Sequence, residues 1–244
     1  MAIIGLQGIR GGAGTTSITA ALAWALRQLG ESVLVVDASS DNMLRLFFDI
    51  AINRSEGWAR ATLDNQNWQE SAWRYAPSLD ILPFGTLNDS EKKSLFNDPT
   101  LGDKLNQYLT VLKDSQRYQW ILVDLPFLPA DVTVTSLSPL DCKIYIAQPD
   151  ANCHIRLCQQ PLPPQSFLLV NGLQVASKLQ HDIHQVWCHT QQAIVPVALH
   201  ADEAMAESCA MKKPVGEYSP HALIAEEVIT LANWCLINLA GQRL

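Results

Sequence analysis

Charge is scarce in this chain of 244 residues: Asp, Glu, Lys and Arg make up 17% of it, against 48% hydrophobic residues. So apolar a chain can bury a full core, which excludes wholesale disorder. Basic residues are the scarcer sign, 17 against 24 acidic, and the net charge is −7. A surface that tracks nucleic-acid phosphates is therefore not expected. No run approaches the ~18 to 20 apolar residues of a membrane-spanning helix. The longest candidate, 231–239, is broken by Asn233 and Asn238. The opening Met1-Ala-Ile-Ile-Gly-Leu-Gln7 lacks the basic start and long apolar core of a secretory signal, so a cytoplasmic protein is expected. The six cysteines contain no C-x-x-C pair. Reduced, partly buried thiols follow, with no grouping for zinc or an iron–sulfur cluster.

What is present is an alternation of strands and helices. Ile3 to Gln7 is a short apolar run ahead of a glycine-rich segment. Ile18, Ala21, Leu22, Ala25, Leu26 and Leu29 then repeat at helical spacing over 16–29, and Gly30 follows as a helix-ending residue. Val33 to Asp37 is a continuous apolar run, as in a strand buried on both faces. Further runs lie at 79–82, 120–125, 144–147, 167–170 and 194–198, with helical patterns over 174–190, 201–211 and 222–239. The alternation predicts one α/β domain over 1–244, doubly wound, with a mostly parallel sheet and helices on both faces. Residues 50–78 are the least regular stretch and hold Trp58, Trp68 and Trp73. They are read as a helical insertion whose tryptophans pack on the core, with a partner-binding surface as the competing reading. His181, His184 and Cys188 share one face of a predicted helix, and an ordinary half-exposed helix accounts for them better than a metal site.

The strongest chemical signal is Arg10-Gly-Gly-Ala-Gly-Thr-Thr-Ser17, between the first strand and the first helix. Glycines let backbone N–H groups converge on phosphate oxygens, and the helix start adds free donors and a positive dipole end. Thr16 stands where a P-loop hydroxyl meets Mg²⁺. The general pattern G-x-x-x-x-G-K-[ST] is nevertheless broken twice, with Ile9 at its first glycine and Thr15 at its lysine.

The turn resembles the deviant Walker A motif of the MinD/ParA family, x-K-G-G-x-G-K-[ST]. Arg10 stands at the signature lysine, while Gly11, Gly12, Gly14 and Thr16 match and Thr15 departs. Val33-Leu-Val-Val-Asp37 is similar to the family's second strand, which ends in the first aspartate of a D-x-D segment. Trp120-Ile-Leu-Val-Asp-Leu-Pro126 is similar to its second switch, with Asp124 as the acidic residue near Mg²⁺. Phe167-Leu-Leu-Val-Asn171 and Ile194-Val-Pro196 resemble the segments that frame adenine. Ala206 to Pro214, then Tyr218-Ser-Pro-His-Ala222, resemble the family's closing motif.

The resemblance implies ATP and Mg²⁺ as cofactors, held by residues 10–17: Arg10, Gly11, Gly12, Ala13, Gly14, Thr15, Thr16 and Ser17. Asn171 and Pro196 would flank the base, and Thr16, Asp37 and Asp124 would hold the metal. Arg10 would reach the partner's nucleotide across a homodimer, with a planar head suited to phosphate. Two departures bear on hydrolysis. Thr15 cannot bring charge to the phosphates, and Ser39 replaces the second D-x-D aspartate that positions water. Asp41 is a candidate substitute. Phosphoryl transfer depends on positioning and charge, so weak or absent hydrolysis is expected, with binding kept.

Val36 to Leu46 and Glu56-Gly-Trp-Ala-Arg60 resemble the family's cellulose-biosynthesis branch. That branch implies a small companion protein and other cytosolic components of a cellulose synthase complex, with recruitment to the inner membrane through them. Basic residues after Gly172 are too sparse for the DNA grip of the partitioning relatives. The closing Ala240-Gly-Gln-Arg-Leu244 lacks the cationic helix of the membrane-binding relatives, so no direct membrane insertion is expected. The alternative is a nucleotide-free structural adaptor of a membrane-associated secretion complex.

Overall fold

The computed structural model describes residues 1–97, 101–127, 137, 139–191 and 193–240. Its strands are β1 (Ala2–Gly8), β2 (Val33–Asp37), β3 (Trp73–Ala76), β4 (Leu79–Leu82), β5 (Trp120–Leu125), β6 (Cys142–Ala147), β7 (Ser166–Leu173) and β8 (Ile194–His200). The helices are α1 (Thr15–Gln28), α2 (Trp58–Leu63), α3 (Asp89–Asn97), α4 (Leu101–Ser115), α5 (Ala151–Gln159), α6 (Lys178–Thr190), α7 (Glu203–Ala210), α8 (Val215–Tyr218) and α9 (Leu223–Asn238). One sheet runs in the order β3-β4-β2-β5-β1-β6-β7-β8. Among the described residues, only the β3–β4 pair is antiparallel.

The apolar runs become central strands because both their faces are covered. Ile4 and Leu6 of β1 pack with α1 and α9 on one face. Ile3, Leu34, Val36, Ile121 and Val123 pack with α2, α3 and α4 on the other. The same face continues over β6 and β7, where Cys153 and Leu157 of α5 and Trp187 of α6 close it. The predicted α/β architecture, with its parallel sheet and two helical layers, is what the chain adopts.

Gly30 ends α1 as expected. At φ 91° it lets its own N–H reach the Arg27 carbonyl at 3.0 Å, and the Glu31 N–H the Leu26 carbonyl at 3.1 Å.

The segment 50–78 corrects the helical-insertion reading. Trp58 opens α2 and is buried. Trp68 opens a one-turn 3-10 helix, Trp68–Ser71, and stacks on Tyr108. Trp73 lies on strand β3, 37% exposed, beneath the Arg54 guanidinium. The run Trp73-Arg-Tyr-Ala76 alternates strand-favouring aromatics but is too short to mark a strand by itself. The free edge of β4 makes it one, a case of tertiary pairing deciding conformation. The helices at 89–97, 101–115 and 151–159 fall outside the helical patterns given above, although Leu105, Leu109 and Leu112 repeat at helical spacing in the second and face the core.

No helix among the described residues is long and apolar enough to cross a membrane. The expectation about the closing residues, with Arg243, falls on 241–244 and lies outside the described residues. So does the stretch 128–136 after the second switch.

Candidate functional site

β1 lies between β5 and β6, and its carboxyl end delivers the glycine-rich turn to the rim of the sheet. The chain winds outward from β1 to β2 on one side, and β6 opens the other side. This is the switch point where open α/β sheets leave a crevice. The turn closes tightly because Gly8 has no side chain. A Cβ there would stand 2.7 Å from the Arg10 carbonyl oxygen and 2.9 Å from Thr15 Oγ1. Gly14, at φ 92°, then turns the chain into α1, and a Cβ on it would meet Asn171 Nδ2 at 2.6 Å. No side chain caps α1, and its first turn holds no acidic residue. Its leading N–H groups therefore face outward as anion donors. A cavity of about 420 Å³ opens over them, lined by residues 10–17, Ser39, Asp41 and residues 124–127.

The carboxylates come from neighbouring strands. Asp37 closes β2 and Asp124 sits on β5, paired in register. Both are buried, and burial holds both carboxyls above the usual carboxylate range. Asp124 is pushed up to about 7, with the Thr16 hydroxyl acting in the other direction. For Asp37, burial leads and the charge of Asp124 adds to it. Their surroundings differ. Asp37 accepts the Ser39 N–H at 2.9 Å and the Leu44 N–H at 3.2 Å. Asp124 lines the cavity, and its Oδ2 is buried without a hydrogen-bond partner. A buried, unpaired carboxylate oxygen beside a hydroxyl and below an anion cradle fits a divalent cation bound with a phosphate chain.

Arg10 lines the cavity but is held within its own chain. Its Nη2 donates to Asp150 Oδ2 at 2.8 Å and to Gln148 Oε1, and its Nη1 to the Gly11 carbonyl at 3.0 Å. Hydrogen bonding to Asp150 raises the guanidinium above its ordinary value. At Asp150 burial opposes ionisation, but the Cys153 N–H and Arg10 outweigh it and hold the carboxyl below the usual range.

The remaining candidates are placed unevenly. Ser39 and Asp41 both reach the cavity, so the missing aspartate position and its candidate substitute are brought together. Asn171 stands behind the turn, with its Nδ2 donating to the Ala13 carbonyl at 2.8 Å. Pro196 is not brought to the cavity. It is exposed within β8, at the irregularity where the register on β7 shifts, which suits a residue without an N–H.

The family model "Cellulose biosynthesis protein BcsQ" matches residues 1–236. The cellulose biosynthesis protein BcsQ of Escherichia coli (strain K12) is 51% identical over 243 residues, covering 100% of this chain and 97% of the relative. That of Salmonella typhimurium is 51% identical over 244 residues, with the same coverage. The chain belongs to the BcsQ family. Among solved structures it is similar to a chain of the MinC:MinD cell division protein complex of Aquifex aeolicus, at TM-score 0.78 and 16% identity, covering 97% of this chain and 96% of that one. It is also similar to the septum site-determining protein MinD of Pyrococcus horikoshii complexed with Mg-ADP, at TM-score 0.76 and 20% identity, covering 99% of each chain. These likenesses show that the chain has the fold of the MinD/ParA ATPases.

Sequence reasoning missed several residues of this site. Gly8 closes the turn one position before the expected glycine, and the signal was there: a glycine ending an apolar strand. Gln148 and Asp150 follow β6, more than a hundred residues from Arg10. Asp150 is legible as the N-cap of α5, accepting the Cys153 N–H, but not as an Arg10 partner. Trp58 donates its indole N–H to the Asp37 carbonyl at 2.7 Å, tying the Glu56–Arg60 motif to the carboxylate strand.

Proposed function

We propose that this chain is an ATP–Mg²⁺-binding switch that dimerises with nucleotide and supports bacterial cellulose biosynthesis and secretion, with weak or absent hydrolysis. Cellulose biosynthesis is the role that the family and its relatives carry in their names. The observation that carries the nucleotide reading is the amide cradle of residues 10–17 opening onto the unpaired Asp124 oxygen. Bound there, Mg²⁺–ATP would supply the phosphate charge whose presence or loss sets the state of the switch.

The backbone N–H groups from Gly11 to Ser17 hold the phosphates. Thr16 and Asp124 hold the metal, and Asp37 stands behind them, orienting the loop to Ser39. Asn171 braces the turn near the base, with the Pro196 strand beyond it. Arg10 serves a second copy of the chain once it leaves Asp150. Thr15 keeps its hydroxyl against Gly8, where it delivers no charge to a phosphate. Together with Ser39, that leaves slow turnover. The dimer presents one shared surface to a small companion protein and to other cytosolic components of a cellulose synthase complex. Those partners bring it to the membrane. Nucleic acid has no role in the assembly.

The test is thermal denaturation with and without Mg²⁺–ATP. Ligand at a hundredfold excess over Kd adds about 2.7 kcal/mol. No shift at millimolar ATP would leave the nucleotide-free adaptor as the reading. Turnover as fast as that of an ordinary MinD/ParA ATPase would remove slow hydrolysis alone and leave the switch standing.

A further inference from the structure

One segment joins the cavity over the glycine-rich turn to a second groove. Ser39 and Asp41 line the cavity. The chain then forms a one-turn 3-10 helix, Leu44–Phe48, and leaves it at Asp49. Asp49 lines a groove of about 350 Å³, together with Trp24, Tyr75, Lys212, Lys213 and Glu217. This groove lies farther along α1, since Thr16 to Trp24 spans about 12 Å of helix.

The 3-10 helix is fastened at both ends and in the middle. At its start the Leu44 N–H donates to Asp37 Oδ2. At its end Asp49 pairs with Lys212 at 3.2 Å, and buried Phe48 meets Tyr75 edge-on with centroids 5.1 Å apart. The Tyr75 hydroxyl donates to Glu217, which also pairs with Lys213 at 3.3 Å. The two lysines and two carboxylates of the groove are thus matched one to one. In the middle, buried Arg45 donates from Nη1 to the Arg54 carbonyl at 2.7 Å. A short rigid turn pinned at its middle passes a displacement of one end to the other.

The hydrogen bonding of the same segment is incomplete. Asn42, 4% exposed, lies at φ 51°, and neither atom of its side-chain amide has a partner. Nε of Arg45 is buried and unpartnered as well. Buried polar groups are nearly always paired, and an unpaired one is costly. Three such atoms within four residues, starting beside Asp41, give the segment a reason to rearrange when the cavity fills.

We propose that residues 39–49 are a lever between the two cavities. Nucleotide in the first cavity shifts Ser39 and Asp41, turns the 3-10 helix, and draws Asp49 off Lys212, so that the turn 211–217 loosens. The lever rests on the nucleotide reading of the site. Hydrogen exchange of the full chain, read by mass spectrometry with and without Mg²⁺–AMPPNP, tests it. Exchange should slow over 10–17 and quicken severalfold over 208–218, where the Lys212 and Lys213 N–H groups donate to the Cys209 and Ser208 carbonyls. Asp49→Asn should quicken 208–218 without nucleotide and remove the further response there, with 10–17 still protected. Lys212→Asn should do the same. Both positions have left-handed backbone, φ 49° and 57°, which Asn accepts, so the fold is kept. Coupling is reciprocal, so both variants should bind Mg²⁺–AMPPNP more tightly, by up to about fivefold for an exposed ion pair. Protection over 10–17 with 208–218 unchanged would overturn the lever and leave the nucleotide site standing. Slower exchange over 208–218 that persists in Asp49→Asn would assign the change to a dimer contact and overturn it too. So would weaker nucleotide binding by Asp49→Asn. No protection over 10–17 would remove the nucleotide reading and the lever with it.

Discussion

The glycine-rich turn and the tryptophan-bearing segment 50–78 lie on the same sheet, and each depends on a glycine that tolerates no side chain. At the turn, Gly14 answers a local demand: a positive φ, a helix start, and outward amides, all within a few residues. In the second region Gly57 answers a distant one. A Cβ on it would stand 2.1 Å from the Gly85 nitrogen, because α2 docks on the chain leaving β4, with the Trp58 N–H on the Pro83 carbonyl at 3.0 Å. Chemistry is written locally in the first case, and packing is written across some thirty residues in the second.

The largest expected effect breaks the second region. Gly57→Ala must push the α2 backbone away from the Gly85 backbone, so it should cost about 3 kcal/mol or prevent folding. Gly14→Ala should cost about 1 to 2 kcal/mol through backbone strain, yet abolish the ATP-induced stability shift. Urea melts of both variants, with and without Mg²⁺–ATP, check this. Equal losses of stability and an intact ATP response would erase the distinction between the two regions.

The next effect belongs to the carboxylate pair. The Asp124 carboxyl titrates at about 7 in the fold, while an unfolded aspartate titrates near ~4. Between those values the folded state holds a proton that the unfolded state has released. The stabilisation is therefore full below pH ~4 and is lost as pH rises through 7, on the order of 4 kcal/mol in metal-free protein. Asp124→Asn should flatten this slope in melts taken from pH 4 to 8. Mg²⁺ should reverse it, since the metal takes the ionised form. A slope unchanged in the variant would assign the titration to another group.

How much can be read from sequence follows the same division. Seven strands and the helices α1, α6, α7 and α9 show in apolar periodicity, because each presents a repeating face to one core. Strand β3 does not, because only the edge of β4 makes it a strand. In the site, residues 10–17 and Asp124 are legible from motif and position. Gln148 and Asp150 are not, since nothing local in them speaks of Arg10. Asn171 reads as a contact to the base, and its bond to the Ala13 carbonyl emerges only once β7 is placed beside the turn. Trp58 reads as core, and it is core. Its indole N–H on Asp37 also joins the illegible region to the legible one. Trp58→Phe keeps part of the aromatic packing, leaves a small void, and leaves that buried carbonyl without its donor. A loss of about 2 to 3 kcal/mol is expected, with Mg²⁺-dependent stabilisation reduced as well. A variant that lost stability but kept its full Mg²⁺ response would confine Trp58 to packing.

The smallest effect on stability should carry the largest consequence for assembly. The Arg10–Asp150 pair is about one-third exposed on each side. Such pairs contribute below about 1 kcal/mol. Arg10→Ala should therefore melt close to wild type, yet lose ATP-dependent dimerisation if the guanidinium works across the interface. Asp150→Asn is the sharper probe. The amide keeps an oxygen for the Cys153 N–H that caps α5, and it removes only the charge that holds Arg10 in its own chain. With that hold loosened, dimerisation should need less ATP, by up to about fivefold for a pair worth 1 kcal/mol. Sedimentation across an ATP titration measures both variants. If Arg10→Ala dimerises as wild type does, Arg10 is a fastening of the turn to β6. If Asp150→Asn needs more ATP, the pair belongs to the dimerising conformation and is not a hold upon it.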